Sequence, residues 1–463
     1  MVFSSTIFIF IYLPIALMLY YITPFKWRNL VLLIENLVFY GWGEPVYVFL
    51  MLASVAVDYF LALMIERSHN KGKKGKKWLI ISVIINIGLL VLFKYLTFIC
   101  DTLNALFSLN IALKMNIVMP IGISFYTFQK MSYVIDVYRN DCKAQHSFTA
   151  FGTYVSLFPQ LIAGPIVKYR DVAEQMETRN TSVDKFSDGV CVFIVGLCKK
   201  VLLANSIGIL WDTLYNSGNL SVLGAWLAVA AFTFQIYFDF SGYSDMAIGL
   251  GKMLGFEFKE NFDYPYISKS ATEFWRRWHI SLSTWFREYV YIPLGGNRKG
   301  KLRWYINILI VWAATGLWHG ASWNFIAWGL FYAFWLIIEK LFLLKHLEKG
   351  RILPHIYAIL IAMLGWALFA CNSLSEGLTL IGSMFGIGVS ALASQSDIFY
   401  LVSYMPLFVI LIIASSPLVK NAFLCIPEKS RNVLTLILCL FGLILCTASI
   451  ISSGYNPFLY FRF

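Results

Sequence analysis

Charge is what this chain has least of. Only 13% of its 463 residues are Asp, Glu, Lys or Arg, about half the share usual in soluble domains. Another 59% are hydrophobic and 17% aromatic. No long polar stretch interrupts that pattern, so a separate soluble domain is not expected. Cysteine chemistry is missing as well. The eight cysteines are scattered, mostly inside apolar runs, with no Cys-x-x-Cys pair and no His/Cys cluster at ligand spacing. Neither a disulfide framework nor a metal site is expected. The chain has no Gly-x-Ser-x-Gly elbow, no His-Glu-x-x-His and no P-loop, no internal repeat and no low-complexity segment. Met1-Val2-Phe3-Ser4-Ser5 lacks the basic region of a cleavable signal peptide, so the apolar run behind it is expected to stay as a first span.

What is there is a succession of apolar runs. A crossing needs about 20 apolar residues, and on the order of eleven to thirteen segments qualify. The expected fold class is all-α, a polytopic membrane helix bundle. It is read as a single domain, 1–463, with N-terminal spans over 1–115, a core over 116–341 and C-terminal spans over 342–463. The net charge is +12, but the basic residues fall in short loops and beside spans. Their expected partner is therefore the lipid bilayer and not nucleic acid. Six Lys/Arg between residues 66 and 77 place that loop in the cytoplasm, and three spans before it put the N-terminus outside.

Some runs are broken or crowded with polar groups. Residues 119–139, with Ser124, Thr127 and Gln129, suit a helix packed inside protein rather than facing lipid. Over 151–170, Pro159 and Gly164-Pro165 suggest a re-entrant hairpin or two half-helices, tolerated only inside protein or beside a cavity. The apolar run 222–240 runs into Gln235, Asp239, Ser241, Ser244 and Asp245. This reads either as a polar helix end at the interface or as the wall of a polar tunnel. From 275 to 289, Trp275, Trp278, Leu282, Trp285, Phe286 and Tyr289 cluster on one arc at 100° per residue, opposite Arg276, Arg277, Ser283, Thr284, Arg287 and Glu288. One amphipathic, cationic helix is expected there, with His279 on its apolar arc, ending in the basic turn that holds Asn297 and Arg298.

Last comes Gly316-Leu317-Trp318-His319-Gly320-Ala321-Ser322-Trp323, a histidine flanked by apolar runs. An ionisable side chain at membrane depth is costly and points to function. Three jobs fit: a general base in acyl transfer, a proton relay in a transporter, or ligation of a cofactor. Composition and spacing do not choose among them.

The ordered blocks do. Phe274-Trp275-Arg276-Arg277-Trp278-His279-Ile280-Ser281-Leu282-Ser283, then Tyr291-Ile292-Pro293-Leu294-Gly295-Gly296-Asn297-Arg298, then Gly316-Leu317-Trp318-His319-Gly320-Ala321 resemble the membrane-bound O-acyltransferase family. Pro120 to Gln129, Pro159-Gln160 to Gly164-Pro165 and Phe238 to Asp245 match as well. The turn at 293–298 is most similar to the bacterial branch that O-acetylates alginate and peptidoglycan, with the D-alanyl transfer branch of teichoic acids a close relative.

The resemblance implies a helix bundle around a central tunnel, in the cytoplasmic (inner) membrane of a bacterium. It implies His319 as general base and His279 as the second family position, in donor placement or proton transfer. No bound cofactor is implied; the donor would be acetyl-CoA or a carrier-linked acyl thioester. A secreted or anchored SGNH-type, esterase-like partner would carry the group to its acceptor. Arg276, Arg277 and Arg298 suit phosphate geometry, and Asn297, Ser283, Trp278, Trp318, Gln129 and Asp245 complete the candidate donor or substrate contacts. Outside this class remain a transporter and a scaffold for a secreted modifying enzyme. The transporter would carry repeated halves with matched broken helices, and only one such centre is visible.

Overall fold

The structure is a computed structural model and describes residues 1–111, 118–162, 164–454, 456 and 459. The boundary expected at 115/116, and Ala163 in the Pro159-to-Pro165 run, lie outside the described residues. Every regular element described is helical. In chain order these are α1 (Phe8–Ile22), α2 (Arg28–Gly41), α3 (Tyr47–Asn70), α4 (Lys76–Phe107), α5 (Ile123–Arg139), α6 (Phe148–Ser156), α7 (Phe158–Leu161), α8 (Tyr169–Glu177), α9 (Val183–Tyr215) and α10 (Val222–Met253). They continue as α11 (Ala271–Arg277), α12 (Ile280–Phe286), α13 (Lys301–His319), α14 (Trp323–Lys349), α15 (Leu353–Ala370), α16 (Leu374–Met384), α17 (Gln395–Ala414), α18 (Leu418–Leu424) and α19 (Glu428–Ser452).

Eight of these, α3, α4, α9, α10, α14, α15, α17 and α19, are long and apolar enough to cross a bilayer. The chain is thus a polytopic membrane helix bundle. The larger sequence count is reached only by adding α1, α2, α5 and α13, which are shorter or more polar. At 14 residues, α2 extends about 21 Å, against a hydrocarbon core of about 30 Å.

The chain gathers into two compact units, residues 1–193 with 246–259, and 194–245 with 260–463. In the first, Phe3, Phe8, Tyr12, Phe39 and Phe158 form an aromatic core with ring centroids 4.9 to 6.5 Å apart. Helix α5 buries 14 of its 17 residues, Ser124, Thr127, Gln129 and Ser132 among them, as its polar content requires. Lys130 on α5 stands 3.5 Å from Asp58 on α3, and Asp58 accepts hydrogen bonds from Ser82 (2.6 Å) and Asn86 (2.8 Å) on α4. All four are buried, so the Asp58 carboxylate and the Lys130 ammonium meet opposite charge or donors where lipid would leave them bare. The expected break past residue 156 is present: α6 and α7 are separated at Leu157, and residues 164–168 are not helical before α8 begins at Tyr169.

In the second unit, the polar run from Gln235 to Asp245 lies within α10, which continues to Met253. It is not a helix end, which corrects that alternative. The cause is pairing within the bundle. Asp239 meets Lys200 at 2.8 Å with both side chains buried, and Asp245 meets Lys199 at 2.6 Å. Where these parts of α9 and α10 touch, a Cβ on Gly242 would sit 2.7 Å from the carbonyl oxygen of Gly196. Small residues allow this close approach.

The single amphipathic helix expected over 275–289 is also corrected. α11 stops at Arg277, Trp278 is extended (φ −99°, ψ 129°), and His279 takes the left-handed conformation (φ 44°, ψ 55°) before α12 begins. Helical periodicity did not register the competing tertiary bonds. The Asn261 carbonyl accepts the Ile280 N–H at 3.0 Å, and the Arg277 carbonyl accepts the Asp263 N–H at 2.9 Å. Together they satisfy backbone groups that the break releases.

Candidate functional site

His319 is the last residue of α13 and is buried. Two glycines set its position. A Cβ on Gly316 would collide with the Phe325 carbonyl, and one on Gly329 with the Trp312 carbonyl, so α13 and α14 can meet at this distance only without side chains there. The His319 ring then sits edge-on to Trp318 (5.0 Å), Trp328 (5.0 Å) and Phe369 (5.2 Å).

His279 is equally buried, at 1% exposure. Its Nδ1 lies 3.2 Å from Asn261 Oδ1, and the same oxygen accepts the Ser281 N–H (3.1 Å) and hydroxyl (2.9 Å). With Asn261 as acceptor, Nδ1 carries the proton and Nε2 keeps its lone pair; Nε2 is buried and has no hydrogen-bond partner among the described residues. Residue 279 is outside the spanning helices, and burial holds its imidazole well below the ordinary histidine range, to about 3. A neutral, oriented imidazole results. Left-handed backbone at a residue with a Cβ stores strain, here borne by the Asn261 bonds. Trp318 links the two histidines, its ring 5.0 Å from His319 and 5.9 Å from His279.

Beside them opens a cleft of about 990 Å³ lined by Arg276, Arg287, Arg298, Lys299 and Lys340, with no carboxylate among its lining residues. Ser283, Asn297 and Thr315 line it too, and its apolar wall includes Trp275 and Trp312. Thr315 lies one helical turn before His319, on the same face of α13. Trp275 packs 5.4 Å from Trp328, which touches the His319 ring. A bound polyanion would meet these cations; neither histidine is among the lining residues. The five cations are exposed, and the planar guanidinium groups among them match phosphate geometry.

Of the residues marked in the sequence, the structure brings Arg276, Ser283, Asn297 and Arg298 together in this cleft, and His279, His319 and Trp318 beside one another. Trp278 is buried among Phe274, Phe262 and Trp366 (5.5, 5.0 and 4.7 Å) and serves the core. Arg277 is held by Asp263 (2.7 Å) and Glu273 (3.0 Å) and does not line the cleft. Asp245 is paired with Lys199. Gln129 belongs to the other unit, where its side-chain amide is buried with no hydrogen-bond partner among the described residues. Sequence reasoning missed the orienting role of Asn261. It also missed Lys340 and Phe369, which arrive from α14 and α15 and carry no local signal.

The family model described as "MBOAT, membrane-bound O-acyltransferase family" matches residues 139–375. The chain is 43% identical to the "Probable alginate O-acetylase AlgI" of Azotobacter vinelandii over 392 residues, 84% of this chain and 79% of that protein. It is 33% identical to the "Peptidoglycan O-acetyltransferase" of Helicobacter pylori over 428 residues, 84% of this chain and 81% of that one. With the "Teichoic acid D-alanyltransferase" of Streptococcus thermophilus it shares 29% identity over 247 residues, 49% of this chain and 58% of that protein.

Proposed function

Because the chain belongs to the membrane-bound O-acyltransferase family, and is therefore an O-acyltransferase, we propose that it carries an acetyl group from a cytoplasmic thioester toward a polymer outside the cell. The donor is acetyl-CoA or an acyl carrier, and the acceptor a secreted polysaccharide or cell-wall polymer. Relatives named for alginate and peptidoglycan support that acceptor class. A multi-pass position in the cytoplasmic membrane, N-terminus outside, suits the cationic 66–77 loop, and a secreted or anchored SGNH-type protein is the expected next carrier.

One observation carries the reading: a cleft walled by five cations, one of whose lining residues, Thr315, stands one helical turn before the buried His319. In this reading the phosphates of the donor rest on Arg276, Arg298 and their neighbours. His319 takes the proton from the attacking hydroxyl as its oxygen bonds to the thioester carbonyl. The carbon–sulfur bond then breaks, and the imidazolium returns the proton to the departing thiolate. Protons and acyl group balance without a cofactor. His279, neutral and oriented by Asn261, helps place the thioester.

The test is acetyl transfer from radiolabelled acetyl-CoA by the purified protein in proteoliposomes, with and without a secreted partner, for wild type and His319→Ala. Loss of transfer in a folded variant is the expected result. Undiminished transfer returns His319 to a structural role. No transfer by either protein leaves a carrier-linked donor such as a D-alanyl thioester, or a scaffold.

A further inference from the structure

Glu339 is wholly buried, and its carboxylate is hydrogen-bonded on both oxygens. One accepts the Ala271 N–H at 2.6 Å and the Tyr357 hydroxyl at 3.2 Å; the other accepts the Thr272 N–H at 2.8 Å and hydroxyl at 2.6 Å. Those two N–H groups open α11 and have no partner inside their own helix. A buried carboxylate is retained only when such bonds offset its lost hydration. Glu339 therefore clamps α11 to α14 at a defined height. Two cleft cations depend on that height: Arg276, near the end of α11, and Lys340, the next residue along α14. Left alone, two like charges on one wall repel, and the clamp carries the opposite charge that holds their helices together.

We infer that Glu339 is a positioning residue for the donor cleft, holding the helix of Arg276 against the helix of Lys340 so that both cations face one anionic donor. The inference rests on the reading of the cleft as the site of a CoA-type thioester. A Gln at 339 keeps the shape but replaces one acceptor oxygen by a donor, which cannot take the second N–H.

The test is a double-mutant cycle on the full chain in detergent, with CoA as the probe and its dissociation constant as the readout, using wild type, Glu339→Gln, Arg276→Gln and the pair. If Glu339 acts through Arg276, Glu339→Gln weakens CoA binding about tenfold in the wild-type background and less than about threefold when Arg276 is already gone. In acetyl transfer, KM rises by more than kcat falls. An equal loss in both backgrounds, or none in either, overturns the inference while leaving the donor reading intact. Wild-type protein that does not bind CoA overturns the donor reading and the inference with it. Thr272→Val, which loses only the hydroxyl bond, supplies the same cycle at smaller amplitude should Glu339→Gln not fold.

Discussion

Gly316→Ala is the most informative single change at the α13–α14 crossing. The added methyl would overlap the Phe325 carbonyl oxygen and lie 3.0 Å from its carbon. Both belong to backbone, which cannot swing aside as a flexible side chain can. Restoring ordinary contact separates the helices by about 1 Å. Overpacking of this kind costs about 1–3 kcal/mol, so the protein should still fold. His319 lies three residues on, against Trp328 of α14 and Phe369 of α15, and moves with the helix. A misplacement of about 1 Å in a reacting geometry costs on the order of 100-fold in rate. The assay is acetyl transfer in proteoliposomes alongside thermal unfolding, with kcat separated from KM. Gly88→Ala is the control: a Cβ there meets nothing within 4 Å. It should keep wild-type activity and gain up to about 1 kcal/mol of stability from helix propensity. Wild-type kcat in Gly316→Ala would refute the claim that this crossing sets the histidine.

Arg276→Gln and Arg298→Gln should each raise KM for acetyl-CoA about five- to tenfold, with a smaller effect at high salt, because exposed charge contacts are screened; initial-rate kinetics at two ionic strengths check this. Asn261→Ala removes the acceptor that orients His279 Nδ1 and should lower kcat on the order of tenfold, as loss of an orienting partner does at metal-bound histidines, while CoA binding persists; a salt-independent loss of CoA binding would contradict it. Phe369→Ala opens space against the His319 ring and should let propionyl- or butyryl-CoA gain on acetyl-CoA by about tenfold or more, read as a ratio of kcat/KM, since each methylene is worth about 1–3 kcal/mol in an apolar pocket. Lys200→Met strands the Asp239 carboxylate in the bundle and should destabilise it by about 3–5 kcal/mol, visible as a lowered midpoint of thermal unfolding in detergent.

Legibility in the sequence followed the range of the forces involved. The eight long apolar helices, the protein-packed α5 and the break past residue 156 depend on which residues neighbour one another along the chain; the larger number of expected spans counted shorter or more polar helices as crossings. The hinge at His279 depends on Asn261, eighteen positions away, and a helical wheel over 275–289 contains no term for it. Residues 235–245 look like a helix end because their partners, Lys199 and Lys200, sit on another helix. Arg276, Ser283, Asn297 and Arg298 lie close in the chain and converge on the cleft. Lys340 completes that wall from a different helix, and only folding brings it there.

The buried set around Asp58 also bears on how the chain enters the bilayer. An aspartate at the centre of a lone apolar helix costs about 2.5–3.5 kcal/mol on insertion scales. Helix α3 emerges first with that burden. Ser82 and Asn86 arrive on α4, so a hairpin of α3 and α4 relieves part of it early. Lys130 arrives only with α5, itself too polar to rest in lipid alone, and its charge is matched by the aspartate already waiting. Each of the three helices is thus a poor solitary passenger and a good companion. In lipid, each of these polar groups costs least once all three helices are packed together, so their order in the chain favours assembly of the trio over separate insertion.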